Sequence, residues 1–366
     1  CIRYRSPSRG LGDVYKRQHM SHSFQTAMND VSSSLKKVYN AESVVLVPGG
    51  GTYGMEAVAR QFSTDKDCLV IRNGWFSYRW SQILEMGNIP SKLTVLKASR
   101  KIDGPQEPFS PVDVDLIIEK IKTEKPAMVF APHVETSAGI ILPDDYIKSV
   151  SEAVHSVGGM FVLDCIASGA IWVDMEKGGV DVLVSAPQKG WSASPAFGMV
   201  MLSKNASEKI LNTQSTSFSC DLLKWFQIMK TYENGGHAYH ATMPTDAIKH
   251  FRDTINETAE FGFDRAQDKQ QELGDRVREL LNKHHFISVA ADGFHAPGVV
   301  VSYTKDQAIH NGSKFKDMGI QIAAGVPLQC DEGEDYQTFR LGLFGLDKLK
   351  NVDAAVQKLE DAFNNL

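Results

Sequence analysis

The segment Ser185-Ala186-Pro187-Gln188-Lys189-Gly190-Trp191 directly follows the apolar run Val182-Leu183-Val184. A lysine in the loop at the end of a buried strand is partly desolvated, which lowers its pKa and suits its amine to Schiff-base chemistry. By position alone, a lysine is more often a solvated surface group. A second run, Phe161-Val162-Leu163-Asp164, ends in a carboxylate and leads into Cys165-Ile166-Ala167-Ser168. If both runs are strands of one parallel sheet, Asp164 and Lys189 emerge at its carboxyl edge, where open α/β sheets bind ligands. Their separation of 25 residues suits a single crossover. A carboxylate that keeps a pyridine nitrogen protonated and a lysine that carries an aldehyde carbon are the two contacts that pyridoxal phosphate (PLP) chemistry most needs.

A third segment, Val47-Pro48-Gly49-Gly50-Gly51-Thr52, joins an apolar run to a helical pattern. Unpaired N–H groups at a helix start, close backbone approach at glycine and the Thr52 hydroxyl could together cradle a phosphate. A plain tight turn explains the three glycines equally well. His237 and His240 have HxxH spacing, but no third ligand is placed to help them, so no metal is expected.

The elements that must position these residues alternate. Short apolar runs at 44–47, 68–71, 93–96, 127–131, 160–164, 180–184 and 198–202 are separated by helical patterns such as 24–39, 112–121 and 144–157. Such alternation predicts βαβ units and a largely parallel sheet, and strands without a polar face predict burial on both sides. Beyond Thr245 a charged helical region spans 247–284, interrupted by Gly262 and Gly274. Strand-like runs at 298–303, 320–322 and 339–343 and a last helix at 347–363 follow. The division expected is a large domain over 19–262 and a smaller α+β domain over 263–366. His284 and His285 read as a solvated helix end.

The composition narrows the class. With 42% hydrophobic and 23% charged residues, the 366-residue chain has the make-up of an ordinary folded protein. The first 18 residues carry five basic groups and one acid with no apolar core, so they are not a secretory signal, and they read as a non-native extension. The remainder holds 34 basic against 43 acidic residues, an acidic balance that points away from nucleic acid. Five scattered cysteines without CxxC spacing argue against a disulfide framework and for a reducing, cytoplasmic setting. No apolar run approaches the roughly 18 residues that a membrane-spanning helix needs.

The sequence resembles the class V, fold-type I PLP aminotransferases of the alanine–glyoxylate and serine–pyruvate group. The likeness rests on seven ordered segments: GGGTYGMEA (49–57), NGWFSYRW (73–80), HVETSAGI (133–140), DCIAS (164–168), SAPQKGW (185–191), YHATMPT (239–245) and FRLGLFG (339–345). It implies a mostly parallel large domain with a smaller C-terminal domain and a homodimer with shared active sites. It also implies transamination between a small amino acid and a 2-oxo acid such as glyoxylate or pyruvate.

By the same resemblance, Lys189 carries the cofactor and Asp164 pairs with its ring nitrogen. Phe76 and Ile166 cover the two faces of the ring. Gly50, Gly51, Thr52 and Gln188 hold the phosphate, although the family often has serine where Gly50 stands. Thr136 and Ser137 lie near the phenolic oxygen, and Tyr239 and Thr242 reach the phosphate from the neighbouring subunit. Arg340 grips the substrate carboxylate. Family members normally begin with an extended segment at the active-site mouth, where this chain has its first 18 residues. Two alternatives remain at this level. One is a PLP lyase of the same fold, either kynureninase-like or a cysteine desulfurase, the latter needing a reactive cysteine such as Cys220 or Cys330; the other is an inactive dimeric scaffold.

Overall fold

The computed structural model describes residues 18–366. The extension proposed for 1–18 therefore lies, but for Gln18, outside the described residues. The apolar runs become a seven-stranded sheet. In chain order its strands are β1 (Ser43–Pro48), β2 (Asp67–Arg72), β3 (Lys92–Lys97), β4 (Met128–Pro132), β5 (Met160–Asp164), β6 (Val182–Ser185) and β7 (Phe197–Leu202), arranged β1-β7-β6-β5-β4-β2-β3. β3, β2, β4, β5 and β6 pair in parallel, whereas β7 runs antiparallel to both β6 and β1. Parallel strands need a long crossover, usually a helix. Between β6 and β7 there is only the loop 186–196, so the chain turns back, and that loop carries Gln188 and Lys189.

Burial on both faces holds for the inner strands: β4, β5, β6 and β7 are buried along their whole length. β3 is a half-exposed edge with a lysine at each end, a residue type that discourages further strand pairing. Helices α1 (His22–Tyr39), α2 (Gly51–Phe62) and α3 (Trp75–Met86) pack against the sheet through residues such as Phe24, Met55 and Trp80. The sequence alternates because each helix must return the chain to the same end of the sheet. That return places the β-to-α loops of β1 and of the parallel strands at one edge.

The long charged region is two helices, α4 (Thr245–Phe261) and α5 (Phe263–Lys283), separated at Gly262 with φ 96°. Gly274 does not interrupt α5. A Cβ there would come 2.6 Å from Pro297 Cα, so this glycine permits close packing rather than a break. A three-stranded antiparallel sheet follows, β8 (Val299–Tyr303), β9 (Ala323–Ala324) and β10 (Thr338–Gly342), in the order β8-β10-β9.

The strand expected at 320–322 is absent. Gly319, at φ 73°, ends the preceding helix, and the Ile320 N–H bonds back to the Phe315 carbonyl at 2.9 Å. That is a helix C-cap that uses its apolar residue for the capping contact. His284 also departs from expectation: it packs 5.4 Å from the Phe363 ring and is half-buried, while His285 is exposed. No helix among the described residues is long and apolar enough to cross a membrane.

Candidate active site

The β-to-α loops enclose a cleft of about 200 Å³. Asp164 ends β5 between Pro132 of β4 and Val184 of β6, and Lys189 follows β6 by four residues. Both line the cleft together with Gly51, Thr52, Phe76, Thr136, Ile166 and Gln188. Residues spread over more than 130 positions of sequence thus meet because five strands end at the same edge.

Asp164 is almost wholly buried and accepts one hydrogen bond, from the Ile166 N–H at 3.0 Å. Burial raises its carboxyl to about 7; the Ile166 bond opposes this, the Glu135 charge adds to it and the Arg79 charge opposes it. Burial, with the Arg340 charge adding to it, pulls the Lys189 amine below its ordinary value. Its Nζ lies 5.3 Å from the Phe344 ring and makes no hydrogen bond or ion pair among the described residues. Burial thus disfavours the charged forms of both the amine and the carboxyl in the cleft.

Gly49 and Gly50 turn the chain from β1 into α2 at φ 126° and 155°, conformations that side chains rarely adopt. A Cβ on Gly51 would come 2.7 Å from Ile166 Cδ1 and 3.1 Å from Ala186 Cβ, so the first turn of α2 lies bare against the cleft. Gln188 Oε1 is buried with no hydrogen-bond partner. A bare helix start, a free amine and a buried carboxyl fit the phosphate, aldehyde and ring nitrogen of PLP.

Arg340, on β10, donates through Nε to the Ala324 carbonyl at 2.8 Å, and its guanidinium lies 5.7 Å from the Phe76 ring centroid. Burial draws it below its ordinary value, and the charge of Glu135 partly offsets this. Gly50 and Ser137 are outside the cleft lining. The Ser137 hydroxyl is already engaged: it donates to Glu135 at 2.6 Å and accepts from the Trp75 N–H at 2.9 Å. Tyr239 and Thr242 also lie outside this lining. Tyr239 is exposed, its hydroxyl 3.4 Å from Thr242 Oγ1 and its ring 5.4 Å from His19.

Two residues that the sequence did not single out organise the site. Glu135 is fully buried and accepts five hydrogen bonds, from Phe76 N–H, Ser77 N–H and Oγ, and Ser137 N–H and Oγ. It sits at the start of α3, where a carboxylate is favoured by unpaired N–H groups and the helix dipole, and it fixes the backbone that presents Phe76. Arg79 lines the cleft one turn beyond Phe76 and donates to Thr52 Oγ1 at 3.2 Å. Both lie within recognised segments, HVETSAGI and NGWFSYRW, which was the only available signal. His133 is also buried. Its Nδ1 is 2.7 Å from Ser168 Oγ, and burial lowers its pKa to about 4, so a neutral ring ties the two loops together.

A parallel sheet with this cleft at its carboxyl edge and a small antiparallel domain beyond it define a fold-type I PLP-dependent enzyme. The sequence pattern of the family Aminotransferase class-V matches residues 8–332, and the chain belongs to that family of transaminases. It is similar to alanine–glyoxylate aminotransferase 1 of Saccharomyces cerevisiae, 25% identical over 353 residues that cover 91% of this chain and 87% of the yeast protein. It is also similar to the 2-aminoethylphosphonate–pyruvate transaminase of Syntrophobacter fumaroxidans, 26% identical over 330 residues, 87% of this chain and 82% of that one. Among solved structures, the alanine–glyoxylate aminotransferase of Nostoc sp. superposes with a TM-score of 0.79 at 21% identity, covering 98% of this chain and 93% of that one.

Proposed function

We propose that the chain is a homodimeric transaminase that moves the amino group of a small amino acid, of alanine or serine type, to a 2-oxo acid such as glyoxylate or pyruvate. The observation that carries this reading is the meeting, in one cleft, of a desolvated amine at Lys189 and a buried carboxyl at Asp164. The names of the yeast and Nostoc proteins support the choice of substrates. The domain division at 262–263 is part of the same proposal, supported by the helix break at Gly262.

When bound, PLP supplies an aldehyde that condenses with amino groups and a pyridine ring that accepts electrons from the substrate Cα. Lys189 would hold the cofactor through its amine. With the cofactor bound, the Lys189 amine, its pKa lowered, would serve as the acid–base group that moves the substrate Cα proton. Asp164 would pair with the ring nitrogen and keep it protonated. Gly50, Gly51, Thr52 and Gln188 receive the phosphate. Phe76 and Ile166 would cover the ring and Thr136 would bond its phenolic oxygen, while Ser137 braces the adjoining turn. Arg340 takes the substrate carboxylate in its two-pronged fork.

A screen of alanine, serine, aspartate and 2-aminoethylphosphonate against glyoxylate and pyruvate tests the substrate assignment. The highest kcat/KM should fall on alanine or serine; a maximum on either of the other donors would overturn it. A lyase of the desulfurase kind draws no support from the thiols. Cys220 and Cys330 are buried, and burial raises both, Cys330 to about 12, so neither is a ready nucleophile.

The exposed Tyr239 suits a hydroxyl that completes the phosphate cup of a second copy. Mixing a Tyr239→Phe, Thr242→Val chain with a Lys189→Ala chain should restore activity in the hybrid dimer, because one of its two sites is then intact. Verified hybrids no more active than either parent would show that the two hydroxyls do not cross an interface.

A further inference from the structure

No step above employs Arg79, yet it supplies the only guanidinium in the cleft lining. It is one helical turn past Phe76 on α3, and its guanidinium lies 5.4 Å from that ring. A guanidinium has five N–H donors. One of Arg79's goes to Thr52 Oγ1, and no carboxylate pairs with it among the described residues. A half-buried cation is thus aimed at the first turn of α2 with most of its donors unspent.

Thr52 shows where that charge is directed. Its Oγ1 accepts from Arg79, so its own proton is turned away and free to be donated elsewhere. The Gly51 and Thr52 N–H groups, the first two of α2, make no hydrogen bond among the described residues. The three glycines ahead of Thr52 supply no side-chain donor. Of the two arginines flanking Phe76, Arg340 donates to Ala324 of the small sheet and Arg79 to the start of α2.

We infer that Arg79 is a ligand of the cofactor's phosphate: it supplies the cup's fixed positive charge, partly by direct donation and partly by orienting the Thr52 hydroxyl. The inference rests on the reading of this cleft as the PLP site. A phosphate dianion held by a helix start, Thr52 and Gln188 alone would keep a charge that only partial dipoles balance; Arg79 balances half of it with a full charge.

The experiment compares the binding of PLP with that of pyridoxal, which lacks the phosphate, by absorbance titration of the cofactor-free protein. Wild type should prefer PLP strongly. Arg79→Gln should weaken PLP binding by about 10–100-fold, the scale of a hydrogen bond between charged groups, and change pyridoxal binding by less than about threefold. Arg79→Lys should recover part of the loss, and far-UV circular dichroism should match wild type in both variants. Equal weakening of both ligands would assign Arg79 a structural role, and an undiminished preference for PLP would remove it from the phosphate cup. Either result overturns the inference. If wild type itself shows no preference for PLP, the reading of the cleft fails first and takes the inference with it.

Discussion

Lys189→Ala should lower kcat by at least about 10⁴-fold, because it removes both the group that holds the cofactor and the base that moves the Cα proton. The same variant should fail to develop the visible absorbance that wild type gains on addition of PLP. No second amine can substitute, since Lys189 is the only lysine in the cleft lining. The fold should tolerate the change. The Lys189 amine makes no hydrogen bond or ion pair among the described residues, and its loss leaves no buried partner stranded. Steady-state assays and absorbance spectra of both proteins check this. A variant that keeps its absorbance and its turnover would remove Lys189 from the chemistry.

Asp164→Asn should retain PLP but slow the half-reaction with the amino donor by about 10²–10³-fold, the scale of losing one preorganised charge at a reacting group. An amide cannot balance a protonated pyridine nitrogen, so the ring withdraws electrons from Cα less effectively. The Ile166 N–H contact can persist to the asparagine oxygen, and the loop should hold its shape. In the cofactor-free chain the aspartate has its own pH signature. Its folded pKa of about 7 lies above the ordinary carboxyl range. Its protonated form therefore contributes stability at acid pH that is lost as pH rises through about 7. Rapid-mixing absorbance with Asp164→Asn gives the rate directly, and an unchanged rate would contradict the assigned role.

Much of this site was legible because strand ends are legible. Asp164 and Lys189 each follow an apolar run of the kind that becomes a buried strand, and a parallel sheet delivers all such ends to one edge. Glu135 and Arg79 were not legible for the opposite reason. The five hydrogen bonds of Glu135 come from its own turn and from the start of α3, 58 and 59 residues away, and no local pattern encodes that approach. Arg79 reads in sequence as one more charge on a helix, and only the fold brings Thr52 to it. Ser137 illustrates a related limit. The resemblance placed its hydroxyl near the ring, but the structure engages that hydroxyl with Glu135 and Trp75.

In the small domain, local rules competed. Ile320 and Ile322 have the alternation of a strand, yet Gly319 makes the first of them part of a helix cap. Gly274 looked like a helix breaker, but its role is to let Pro297 approach α5. In both places the residue type was correctly noticed and its partner, distant or newly turned, decided what it does.

The central claim is that Lys189 is the residue on which the cofactor is held. Reduction of the PLP-loaded protein with borohydride, followed by proteolysis and peptide mapping, tests it most directly. The account predicts a single pyridoxyl-modified peptide containing Ser185-Ala186-Pro187-Gln188-Lys189, with the label on Lys189. A label on any other lysine, or no label on a protein that binds PLP, would contradict it.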